Sequence, residues 1–165
     1  MSDSKKSIRM VNGGGDTAPS ESVADILERE IQDVITEWLA RVDLEPDLTS
    51  IHLNYEERTG HLPQLLRDVI ARLRLDSVTN APISEAAGIH GDLRREQGYT
   101  VAMAVEESRL LQVSIFTTLH KNVKHLEFST LLPDVVTIAD EVDAQLKQQM
   151  LRFMAADAAQ NAKSA

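Results

Sequence analysis

Apolar side chains recur at the α-helical repeat along nearly the whole chain, and no useful length alternates with the period of two that a half-buried strand requires. Leu27, Ile31, Val34, Ile35, Trp38 and Val42 share one helix face. Tyr55, Leu62, Leu65, Leu66, Val69, Ile70 and Leu73 keep a second phase. Val101, Val105, Ser108, Leu111, Ile115 and Leu119 form a third stripe, and Leu132, Val135, Ala139, Val142, Leu146, Met150 and Phe153 a fourth. No Asn-Gly or Asp-Gly turn joins β-rich runs. The expected fold is all-α, a bundle of about five to six helices. With 165 residues and 42% apolar content the chain fits one domain. A chain of this length buries roughly 68–70% of its unfolded surface. Aromatics are scarce, so the core is expected to be built from Leu, Ile, Val and Ala.

Local signals divide the chain. Residues 1–19 are rich in Ser, Lys, Gly and Asp and lack periodicity, which predicts a disordered tail before a single domain over 20–155. Ser20 or Ser22 can cap the first helix, and Pro46 closes the segment after Val42. Asn54 with Glu57 spells a capping box. Gly60 and Pro63 interrupt the next stretch, but the apolar phase survives them, which predicts one kinked helix over about 55–75. Residues 76–82 read as a loop. Ser84 and Thr100 read as caps, and Gly98 as a C-terminal glycine. Residues 122–128 read as a link, and Thr130 as the opening of the last helix with Pro133 in its first turn. The Ala-rich stretch over 156–165 is expected to fray. The last helix also has the look of a coiled-coil seam, which makes it the candidate surface for a homodimer.

Composition narrows the functions. Cysteine is absent, so disulfides, thiolate metal sites and a Cys nucleophile are excluded. No signal peptide or run of 18 apolar residues occurs, so a cytoplasmic location without a membrane span is expected. Net charge is −9. An acidic surface repels phosphate backbones and anionic lipid, so neither nucleic acid nor membrane is an expected partner. Di-iron, zincin and serine-hydrolase chemistry all lack their motifs: no Glu stands three residues before a His, and there is no His-Glu-x-x-His and no Gly-x-Ser-x-Gly.

The densest segment is His90-Gly91-Asp92-Leu93-Arg94-Arg95-Glu96-Gln97-Gly98-Tyr99. His90 and Arg94 are four apart and share a helix face. Gly91, lacking a side chain, can admit a close helix approach. Glu106 and Arg109 follow on the next helix, and Arg94 is expected to pair with Glu106. His90, Gly91, Arg94, Gly98, Tyr99, Glu106 and Arg109 are the candidate cluster. Their expected role is architectural, fixing the angle between two helices, and a polar knot with two arrangements can also switch.

The pattern His-Gly-x-x-Arg-x-x-x-Gly-Tyr, followed by Glu106-Glu107-Ser108-Arg109-Leu110-Leu111, resembles the N-terminal domain of the RsbR/RsbRD family of stressosome co-antagonists. Trp38-Leu39 and His61-Leu62-Pro63-Gln64-Leu65-Leu66 add to the likeness, which covers about residues 22–155. The resemblance implies a globin-like fold without haem or other cofactor, a dimer, and a signal passed through the final helix to a kinase or stressosome component. It implies no catalysis. The output domains of that family are not in this sequence, which is expected to be either a free-standing version or a fragment.

Two rival readings use the histidines. A phosphotransfer protein would carry His90 exposed, with Arg94 to neutralise phosphate, although Leu93 stands where such sites usually have Lys. A haem or small-ligand sensor would take an axial ligand from His61, His90 or His120.

Overall fold

The computed structural model describes residues 20–75 and 83–163, and these form an all-helical bundle. The tail expected over 1–19 and the loop expected over 76–82 lie outside the described residues. No described helix is long and apolar enough to cross a membrane.

The chain begins with α1 (Val23–Arg29), capped by Ser22, whose hydroxyl accepts from the Asp25 amide at 3.1 Å. The sequence stripe from Leu27 to Val42 predicts one helix, but the backbone breaks at Glu30 and restarts as α2 (Ile31–Val42). The apolar phase crosses the break, so periodicity alone cannot reveal it. Pro46 ends nothing further; it starts the short α3 (Pro46–Thr49), where its missing N–H costs no helical bond.

The stretch expected as one kinked helix is instead two. α4 (Tyr55–Thr59) begins with the Asn54–Glu57 capping box, closed by bonds of 2.8 and 3.0 Å. α5 (Leu62–Leu73) begins afresh after Gly60 and His61. Pro63 explains the separation: it has no N–H to return to the Thr59 carbonyl, so it is tolerated only in a first turn. The junction carries His61 into the interior.

α6 (Glu85–Glu96) is capped by Ser84, which accepts from the Ala87 amide at 3.1 Å. Its inward residues are Ala87, Gly88, His90, Gly91 and Arg94, so small and polar groups replace the usual aliphatic stripe. α6 lies directly against α8 (Phe128–Lys163), and a Cβ on Gly91 would fall 2.6 Å from the Gln149 carbonyl oxygen. Only glycine fits that contact. α6 ends in a Schellman turn: Gly98, at φ +86°, donates to Arg95 O at 3.0 Å, and Tyr99 donates to Arg94 O at 2.9 Å. The turn returns Tyr99 to the core.

α7 (Val101–Lys121) is capped by Thr100. Leu111, Ile115 and Leu119 of its expected stripe are buried, but Val101 and Val105 are exposed, and Ala104, Glu107, Leu110, Ser114 and Thr118 face inward instead. A 3₁₀ turn over Val123–His125 lies inside the expected link. Beside it, Glu21 and Leu126 form an isolated parallel bridge. α8 starts at Phe128 rather than Thr130, so Pro133 falls beyond its first turn, and the helix continues to Lys163. Its buried face is Ile138, Glu141, Val142, Gln145, Gln149 and Phe153, while Leu132 is exposed. The apolar core gathers Ile26, Leu27, Val34, Trp38, Leu62, Leu66, Val69, Ile115 and Ile138. One end of that core is polar.

Candidate functional site

At that end α4, α5, α6 and α7 meet around Arg94, which is fully buried. Its Nε donates to Glu107 Oε2 at 2.9 Å. One terminal nitrogen donates to Glu57 O at 3.0 Å and to Gln97 Oε1 at 2.6 Å, and the other to Arg58 O at 2.8 Å. Those two carbonyls lie in the last turn of α4, where the helix dipole favours a cation. The guanidinium carbon also sits 4.8 Å from the centre of the Tyr99 ring. A buried charge is tolerable only when its donors are satisfied, and these largely are.

Glu107 is the counter-charge, and it is saturated. Tyr99 donates its hydroxyl to Oε1 at 2.8 Å, and His90 Nε2 lies 3.5 Å from Oε2. Tyr99 in turn accepts from Arg58 at 3.1 Å, and Arg58 also donates to Leu48 O and Ile51 O. Trp38 Nε1 donates to the Glu107 carbonyl at 3.1 Å, tying α2 to the same turn of α7. Burial pushes the Glu107 carboxyl up, but the His90 hydrogen bond, the Arg94 charge and the Tyr99 hydroxyl outweigh it, holding it below the ordinary carboxylate range. Burial, and then the Glu107 charge, push the Tyr99 phenol up, so it stays a donor.

The imidazoles of His61 and His90 stack with centroids 3.6 Å apart and planes 13° from parallel. Trp38 meets the His61 ring edge-on. Each histidine has a buried Nδ1 without a hydrogen-bond partner. Burial, the His90 ring and the Arg94 charge hold His61 well below 6.5. Burial also lowers His90, although Glu107 pulls the other way. The pair is therefore neutral at physiological pH, and a proton on either ring would enter a knot that already holds Arg58 and Arg94 against Glu107.

One nitrogen from each histidine and a Glu107 oxygen lie within 4.8 Å of one another, a set with the composition of a metal site. The geometry argues against that use. Lone pairs of near-parallel stacked rings run side by side and do not converge on one ion, and both Glu107 oxygens are occupied by protein donors. The adjoining void, lined in part by Trp38, His61, His90, Glu107 and Gln149, measures about 10 Å³. That is the lower limit for one water, whereas small-molecule sites run to about 300–1,000 Å³. The His pair has no space beside it for a macrocycle, and His120 is exposed at the end of α7.

Of the expected cluster, His90, Arg94 and Tyr99 converge, Gly91 supports them against α8, and Gly98 makes the turn that aims Tyr99. Glu106 and Arg109 do not join. They pair with each other on the surface of α7, Arg109 Nε reaching Glu106 Oε2 at 2.9 Å. The expected Arg94–Glu106 pair is thus replaced by Arg94–Glu107, because residue 107 and not 106 is in helical phase with Leu111 and Ile115. The same phase, read from those two residues back towards Ala104, would have found it. Arg58 carried no sequence signal, since its acceptors are mostly main-chain carbonyls. Comparison of the chain with protein-family models, curated proteins and solved structures finds no match.

Proposed function

We propose that the chain is a non-enzymatic sensor or adaptor domain that relays a signal to a partner protein by repacking its helices. The RsbR/RsbRD resemblance points to the same role, with a globin-like bundle, a cytoplasmic setting, and a kinase or stressosome component as the partner. The observation that carries the reading is the Arg94–Glu107 knot. It joins α4, α6 and α7 through one buried charge pair, with the His61–His90 stack adding α5. The Gly91–Gln149 contact then couples α6 to the long helix α8, whose Gln145 and Gln149 line the void beside the knot. A buried network of this kind has few intermediate arrangements, so it suits a two-state element.

A homodimer through α8 fits its surface. Phe128, Leu132 and Val136 form an exposed apolar row at spacing of four along its first half. The phosphotransfer alternative loses its main support, because His90 is 4% exposed and has no surface to present to a kinase.

Hydrogen exchange tests the relay. In Glu107→Gln, with helicity retained by circular dichroism, amides of α8 around Gln145–Phe153 should exchange at least several-fold faster, although residue 107 is on another helix. Faster exchange limited to α6 and α7, with α8 unchanged, would count against relay through α8.

A further inference from the structure

A second cavity lies between α5, α6 and α8 and shares no lining residue with the knot. It measures about 520 Å³, within the range of small-molecule sites. Leu75, Ile83 and Ile89 form its apolar wall, and all three are among the large apolar side chains left exposed. Asp68, Arg72, Glu85 and Glu141 supply its charges, with Glu85 exposed to water at the rim.

Those charges are unevenly satisfied. Asp68 accepts from Gln64 Nε2 at 2.9 Å and from the Ser84 hydroxyl at 2.6 Å. Glu141 is 5% exposed, yet accepts a single hydrogen bond among the described residues, from Gln145 Nε2 at 3.2 Å to Oε1. Its other oxygen accepts no hydrogen bond from the described residues. The Arg72 Nε is buried without a hydrogen-bond partner. Arg72 and Glu141 line one cavity without forming an ion pair. Burial, supported by the Asp68 charge, pushes the Glu141 carboxyl up against the Gln145 hydrogen bond and the Arg72 charge.

Glu141 and Arg72, charges without an ion-pair partner among the described residues, stand beside an apolar wall and specify a ligand by elimination. A hydrocarbon would desolvate both charges and answer neither. A fatty carboxylate would serve Arg72 and repel Glu141. An alkylamine would serve Glu141 and leave Arg72 bare. A zwitterion with an aliphatic body serves both. We propose that this cavity binds an aliphatic α-amino acid, its ammonium on Glu141, its carboxylate on Arg72 and its side chain against Leu75, Ile83 and Ile89. This goes beyond the relay reading and does not rest on it.

Calorimetric titration of the full chain with L-leucine tests the assignment. Saturable binding below about 10 mM is expected. Leucinamide, lacking the carboxylate, and 4-methylpentanoate, lacking the ammonium, should each bind at least tenfold more weakly. Glu141→Gln and Arg72→Gln should each weaken leucine at least tenfold while keeping the ligand-free melting temperature within a few degrees. His90→Gln, in the separate knot, should bind leucine as the parent chain does. Absence of leucine binding at that concentration, binding of leucinamide or 4-methylpentanoate as tight as leucine, or binding indifferent to both cavity variants would overturn the proposal.

Discussion

Replacing Arg94 with methionine keeps most of the side-chain volume and deletes four hydrogen bonds: one to Glu107, one to Gln97, and one each to the carbonyls of Glu57 and Arg58. Glu107 keeps Tyr99 and His90 as donors but loses its cation in a site that is 4% exposed. Breaking a buried pair from one side costs about 3–5 kcal/mol, most of it the penalty of the charge left behind. Total stability for a domain is about 5–15 kcal/mol, so the variant should remain folded but only marginally. Each kcal/mol moves the midpoint by about 2–4 °C at this size, so thermal unfolding followed by circular dichroism should drop by about 6–20 °C. The double variant Arg94→Met/Glu107→Leu, which removes both charges, should recover part of the loss, and urea titration of all four chains gives the coupling directly. A cost below about 0.5 kcal/mol for Arg94→Met, the range of free surface sites, would refute the buried knot. Arg109→Ala, which breaks only the surface pair with Glu106, supplies that range as an internal control.

Acid should weaken the fold through the histidine stack. The folded chain refuses protons at His61 and His90 that the unfolded chain accepts near 6.5, so their contribution is complete above that pH and is lost as pH falls towards the folded values. The slope should reach up to ~1.4 kcal/mol per pH unit for each ring, and urea midpoints from pH 8 to pH 5 would measure it; a His61→Gln/His90→Gln chain with an undiminished slope would refute the assignment. Glu107, whose pKa is lowered, adds a further loss only below the ordinary carboxylate value of 4.5. Gly91→Ala should cost about 1–3 kcal/mol, the usual cost of overpacking, because its Cβ meets backbone atoms of Gln149; a neutral result in the same assay would mean α6 and α8 can part freely. Leu132→Glu should shift sedimentation of a dimer to that of a monomer, and a parent chain that sediments as a monomer would dismiss the α8 dimer.

Helix content and most caps are legible because they depend on neighbours in sequence, Thr130 being the exception. Ser22, Asn54, Ser84, Thr100 and Gly98 all act where their local chemistry predicts. Interruptions were less so. The break at Glu30 leaves the apolar phase intact, and Gly60–Pro63 gave a kink where the backbone made a full restart. The inward faces of α7 and α8 are legible only in part, for one shared reason. Glu107, Glu141, Gln145 and Gln149 are buried, and a rule that seeks apolar stripes skips them. Such burial is decided by partners on other helices, which only the folded chain brings together. For the same reason His90 and Arg94 stood out in sequence, whereas Arg58 did not.

Arg94 holds α4 by its main-chain oxygens, not by any side chain of that helix. The two positions whose oxygens accept those bonds, Glu57 and Arg58, are thus free of any requirement from Arg94 as to what their side chains are. What constrains those two side chains is their other bonds, the capping box of Glu57 and the buried contacts of Arg58, so pairwise covariation with Arg94 would pass this contact by. A shift of α4 by one residue along its axis would withdraw both oxygens at once, so the guanidinium measures where that short helix stands.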